Sequence, residues 1–169
     1  KDLAVEMRGR LGDWFRVVQL VQEGGGDEAL IREAWEHIGD FYADRQKWGK
    51  AVQYYSQCKN HEKLASVYYI QEDFKGMERL IDQCDHNKEL LLQLGNRFLS
   101  AGLSDAAVHA FLKANETKMA VNSCVELNQW DQAVHLAEKH NLTEIGELMS
   151  KYATHLDINS PISVKLCFS

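Results

Sequence analysis

Hydrophobic residues in the stretch 35–58, WEHIGDFYADRQKWGKAVQYYSQC, recur at intervals of three and four. Trp35, Ile38, Gly39 and Tyr42 share one face of a first helix, and Ala51, Tyr55 and Cys58 share one face of a second. The set then returns three times. Leu64, Ala65, Tyr68, Met77, Ile81 and Cys84 follow a marker at His61. Leu94, Gly95, Phe98, Ala107, Phe111 and Ala114 follow Leu91, and Ala120, Val121, Cys124, Ala133, Ala137 and His140 follow Thr117. Trp48, Phe74 and Trp130 mark the turn between helices, with Ser104 at that position in the third unit.

The order of residue types is that of the tetratricopeptide (TPR) repeat: a large residue, a Leu-Gly pair, an aromatic, then small–aromatic–small. The physical content is a close crossing of two antiparallel helices. Glycine inside a helix costs roughly 1 kcal/mol against alanine, so Gly39 predicts a partner helix pressed against it. Ala51 is the small residue that admits that partner, and Tyr55 the knob that fills the next groove. The expected fold is all-α, a right-handed α-solenoid of degenerate TPR-like helix–turn–helix repeats over residues 1–156. Its units lie at about 1–24, 32–58, 58–84, 88–114 and 114–140, with a partial one at 141–155 and an irregular tail over 157–169.

Upstream, DLAVEMRGR reads as a first helix, Leu11-Gly12-Asp13 as a turn and WFRVVQLV as a second helix. There Trp14, Val17 and Val21 stand at the positions of Trp48, Ala51 and Tyr55. Gly24-Gly25-Gly26 forms a joint and Asp27 an N-cap for the helix carrying Trp35. These glycines follow no strand and precede no P-loop lysine, so they read as a loop rather than a phosphate cradle. Downstream, Leu142–Tyr152 starts another first helix with Ile145-Gly146 at the Leu-Gly position, and Ser160-Pro161 blocks a second. The chain opens on Lys1 and reads as a piece of something longer.

Composition narrows the function classes. A single proline and a body rich in Ala, Leu, Glu, Lys and Gln favour helices throughout. The formal net charge of −6 opposes a nucleic-acid surface, and no apolar run reaches the roughly 20 residues of a membrane span. Cys58, Cys84, Cys124 and Cys167 stand alone, without a CxxC pair, and read as small buried hydrophobes of a chain in a reducing compartment. The seven histidines show no metal-ligand spacing; His135 and His140 are five apart, off a common helical face. No nucleophile motif, Walker motif or catalytic constellation is present, so the sequence points to neither an enzyme nor a cofactor.

A binding surface is the natural alternative. In TPR arrays the first helices line the concave side, which places Glu36 and Asp40, Glu62 and Ser66, Leu92 and Asn96, and Lys118 and Asn122 toward a ligand. The chaperone-binding class grips a peptide's terminal carboxylate with lysines and asparagines at such positions. Only Lys118 and Asn122 fit, and Glu36, Asp40 and Glu62 would repel an acidic tail. A stacked scaffold is therefore preferred to a TPR adaptor or co-chaperone that binds a peptide.

The segments KDLAVEMRGRLGDWFRVVQLVQ, ADRQKWGKAVQYY, LNQWDQAVHLAEKH and EIGELMSKYATHL resemble the WD-repeat subunits of intraflagellar transport complex A. The resemblance is continuous over about residues 1–156 and departs near Asp157. It implies a helical solenoid that follows two N-terminal β-propellers, an architecture shared with coatomer-like vesicle-coat subunits. It further implies a non-enzymatic scaffold in retrograde ciliary transport and in the ciliary entry of membrane proteins. The implied partners are other subunits of that complex and ciliary membrane cargo or its adaptors. The implied locations are the cytoplasm and the cilium, with its basal body and axoneme.

The register itself is testable. Ala51→Trp should overpack the helix crossing and cost about 1–3 kcal/mol or more; an unchanged melting temperature would count against it.

Overall fold

The computed structural model describes residues 12–20, 23, 28–84, 86–142 and 145–159. Among these residues the fold is all-α, an α-solenoid of repeated helices, with no strand. Helix α1 covers 12–20. It is followed by α2 (Glu28–Ala43), α3 (Trp48–Cys58), α4 (His61–Ile70) and α5 (Phe74–Gln83). Then come α6 (Lys88–Ser100), α7 (Ser104–Lys113), α8 (Thr117–Glu126), α9 (Trp130–Lys139) and α10 (Ile145–Asn159). The chain divides into two compact units, Lys1–Cys84 and Asp85–Ser169. Helices α2 to α5 in the first unit, and α6 to α10 in the second, pack chiefly on their neighbours in sequence.

Helices α4, α5, α7, α8 and α9 are only ten residues long. Isolated helices below about 12–15 residues are marginal in water, so their stability must come from neighbours. The joints are built to a single plan. Gln46, Lys59 and Glu72 in the first unit, and Gly102, Asn115, Asn128 and Asn141 in the second, take positive φ, spaced thirteen residues apart within each unit. The amide that follows each one donates back to a carbonyl five residues earlier: Lys47 to Tyr42, Asn60 to Tyr55, Asp73 to Tyr68, Leu103 to Phe98, Glu116 to Phe111, Gln129 to Cys124 and Leu142 to Ala137. Together with the tighter bond from the left-handed residue itself, this is the Schellman terminator. Lys47, Asn60, Asp73, Leu103, Glu116 and Gln129, the last residues of their terminators, are also the N-caps of the next helices, so a joint of two to four residues reverses the chain. Asn60 and Asp73 complete the cap with side chains that accept from the amides of Lys63 and Gly76.

A pair of such helices repeats every 26 residues, shorter than the roughly 34 of a standard tetratricopeptide repeat. Trp48, Phe74, Ser104 and Trp130 are each the first residue of a second helix rather than turn residues. Gly12 and Asp13, expected in a turn, already lie in α1. Helix α10 runs on to Asn159, past Asp157, where the irregular tail was expected to begin. The expected helix at DLAVEMRGR, the glycine joint with its Asp27 cap, Val21, and the residues from Ser160 onward, Cys167 included, lie outside the described residues.

The core is made where an aromatic ring closes over a glycine. Ile38, Ala51, Leu94, Phe98, Ala107, Phe111 and Ala114 are buried, while Trp35 and Tyr42 are half-buried. A methyl added at Gly39 would sit 2.5 Å from the Tyr55 ring, and one at Gly95 would sit 2.6 Å from the Phe111 ring. The second pair uses the reverse arrangement: Gly76 on its second helix meets the ring of Tyr68 from its first, 2.9 Å from an added methyl. Rings also close the ends. Trp14 of α1 stacks on His37, with centroids 4.5 Å apart, and Trp130 of α9 stacks on Tyr152 of α10 at 5.8 Å.

Two alanine substitutions separate helix propensity from close approach. Gly49 of α3 has nothing within 4 Å of an added methyl, so Gly49→Ala should stabilise by about 0.5–1 kcal/mol. Gly95→Ala should instead destabilise by about 1–3 kcal/mol, because Phe111 must move. Urea melts of the two variants should shift in opposite directions.

Candidate interaction surfaces

Two candidate residues of the first unit, Glu36 and Asp40, converge on one lysine. Glu36 and Asp40 are one turn apart on α2, and Lys63 reaches them from the first turn of α4. Its Nζ lies 2.7 Å from Glu36 Oε1, and 2.6 and 2.8 Å from the two Asp40 oxygens. The Tyr55 hydroxyl donates to Asp40 Oδ1 at 2.7 Å. The side chain whose ring covers Gly39 thus also orients Asp40, and three helices are tied by one polar cluster.

Burial raises the Tyr55 hydroxyl pKa well above the ordinary tyrosine value, and donation to Asp40 adds to it. Burial pulls Lys63 downward, but its bonds to Asp40 and Glu36 outweigh that and leave its pKa raised. Burial likewise pushes up the Cys58 and Cys124 thiols. Glu62 is exposed outside the cluster, and with Glu36, Asp40 and Lys63 it leaves this face net acidic.

In the second unit the same helix position holds Asn96, which is exposed, and the facing knob is Phe111, which has no hydroxyl to offer. Lys118 and Asn122 of α8 line a small groove of about 110 Å³ with Val121, Ala137, Leu142, Leu148 and the Glu147–Lys151 ion pair. The structure therefore brings together Glu36 with Asp40, and Lys118 with Asn122, while Glu62 and Asn96 stand apart from both groups.

Sequence reasoning missed Lys63 and a larger cleft of about 500 Å³ at the α3–α4 joint, lined by Ser56, Lys59, His61, Leu64, Tyr68, Gly76, Arg79, Leu80 and Gln83. A signal for Lys63 was present. Tyrosine rather than phenylalanine at the knob, opposite an aspartate directly after the helix glycine, calls for a hydroxyl donor and a countercharge. No group of three or more potential metal ligands occurs among the described residues, and none of their helices is long and apolar enough to cross a membrane.

The alkaline limb of stability tests this cluster. The raised values of Lys63 and Tyr55 both favour the protonated folded state. Their contribution is complete below the unfolded values, about 10.4 and 10, and fades as pH rises through the folded ones. The chain should lose stability above about pH 10. Lys63→Met should cost about 0.5–1 kcal/mol at neutral pH, since the pair is partly exposed, and Lys63→Met with Tyr55→Phe should flatten the alkaline loss in chemical melts.

Comparison with known proteins gives a consistent set of relatives. The chain is 49% identical over 158 residues to WD repeat-containing protein 35 of Rattus norvegicus and of Homo sapiens, a match covering 92% of the chain. It is 26% identical over 168 residues to the intraflagellar transport protein osm-1 of Caenorhabditis elegans. The chain spans only 14% of the length of the rat protein and 9% of that of osm-1. No family model matches it.

Proposed function

We propose that this chain is a non-catalytic scaffold segment that works in an intraflagellar transport assembly. The observation that carries the reading is the similarity to WD repeat-containing protein 35 along almost the whole chain, with the osm-1 relative named for the same transport system. The architecture supports it: short helices stacked in series bury one face and leave long outer surfaces for large partners. On this reading the contacts are with other subunits of intraflagellar transport complex A and with membrane cargo or its adaptors. The work is retrograde transport and the entry of membrane proteins into the cilium. The places are the cytoplasm, the basal body and the axoneme. The outward groups for such contacts are Glu36, Asp40, Glu62, Asn96, Lys118 and Asn122. They fall on first helices, where a neighbouring subunit can reach them.

One observation favours a second reading, an adaptor that grips a peptide's terminal carboxylate: Lys118 and Asn122 share a groove. Glu147 in the same groove opposes it.

Reconstituted complex A subunits, passed over the immobilised 169-residue chain, should be retained, and charge reversal at Glu36, Asp40 and Glu62 together should weaken retention. A peptide ending in EEVD should bind no better in calorimetry than its C-terminally amidated form. Failure of every subunit to bind, with a clear preference for the free carboxylate, would overturn the scaffold in favour of the adaptor.

A further inference from the structure

The cleft at the α3–α4 joint differs from the rest of the molecule in charge. The chain carries 25 acidic against 19 basic residues, yet no carboxylate lines this cleft. Lys59, His61 and Arg79 come to it from three places in the chain: the end of α3, the start of α4 and the middle of α5. Ser56 and Gln83 add uncharged polar groups, and Leu64 and Leu80, 3% and 2% exposed, form an apolar floor beside Tyr68. At about 500 Å³ the cleft falls in the range of ligand sites, roughly 300–1,000 Å³.

The fold by itself explains only part of this. A cation near the C-terminus of α3 suits that helix's dipole, which accounts for Lys59. Arg79, in the middle of α5, has no such role. Among the described residues its Nε donates to the carbonyl of Lys75, one turn back. Lys59 also holds a left-handed backbone, φ 54°, where glycine or asparagine would be easier.

We infer that this cleft binds an acidic peptide segment in which aspartate or glutamate alternates with an aliphatic residue. The carboxylates meet Lys59 and Arg79 on the rim, and the aliphatic side chain seats on Leu64 and Leu80. Exposed rim charges set selectivity and association rate more than affinity, so binding is micromolar and salt-sensitive. A nucleic acid fits less well, because the floor is aliphatic rather than an exposed ring platform. The inference goes beyond the scaffold reading and does not rest on the identity of the assembly, because it follows from the lining residues alone.

Fluorescence anisotropy with a labelled peptide of alternating glutamate and leucine, added to the whole chain, tests it. Saturable binding is expected, together with at least a roughly tenfold loss in Lys59→Gly/Arg79→Gln. Glycine suits the backbone at residue 59, and residue 79 is exposed, so this variant should melt no lower than the parent. Lys47→Gln/Lys139→Gln, which removes two exposed lysines elsewhere, should leave binding unchanged. No binding, equal binding by the parent and the cleft variant, or an equal loss in the control variant would overturn the inference. So would stronger binding of a single-stranded oligonucleotide or of the lysine–leucine counterpart peptide.

Discussion

An aromatic ring lying on a glycine across a helix crossing is the contact on which the rest of this structure depends. Tyr55 on Gly39, Tyr68 on Gly76 and Phe111 on Gly95 set how closely paired helices approach. Close approach matters because a ten-residue helix has too few internal bonds to persist alone. The same three residues do a second job. Their backbone carbonyls accept the amides of Asn60, Asp73 and Glu116, the bonds that end each helix. At these three joints one residue thus fixes both the distance between helices and the point at which the chain reverses.

Polar structure is added to this frame rather than replacing it. In the first unit the ring carries a hydroxyl, and Asp40, Lys63 and Glu36 follow from it as a chain of hydrogen bonds and ion pairs. In the second unit Phe111 stands at the knob and Asn96 opposite, and the groove at Lys118 and Asn122 is assembled separately, against α10. The charges of the first unit are also segregated. An acidic cluster lies on α2 and α4, and a cleft without carboxylates lies at the α3–α4 joint. Two surfaces of opposite character on one small body suit a part that meets more than one partner.

Much of the frame was legible in the sequence. The small and aromatic positions from Trp35 to Ala114 give the number of helices and their facing sides, because burial enforces a 3.6-residue period on any helix with one covered face. The joints were legible unevenly. Gly102, Asn115, Asn128 and Asn141 announce a left-handed turn, since these residues tolerate positive φ. Gln46, Lys59 and Glu72 adopt the same turn without announcing it. There the tertiary stack outweighs a local preference of about 1 kcal/mol.

The sequence by itself determined the all-α class and the repeat, because each is written in residues close along the chain; which ring meets which glycine came from the structure. Only the tertiary structure decided which charges meet. Lys63 lies 23 residues from Asp40, and Lys59 twenty from Arg79, separations with no periodic signature. Their meeting is set by how successive pairs stack, and stacking is decided by the fit of whole faces rather than by any local pattern.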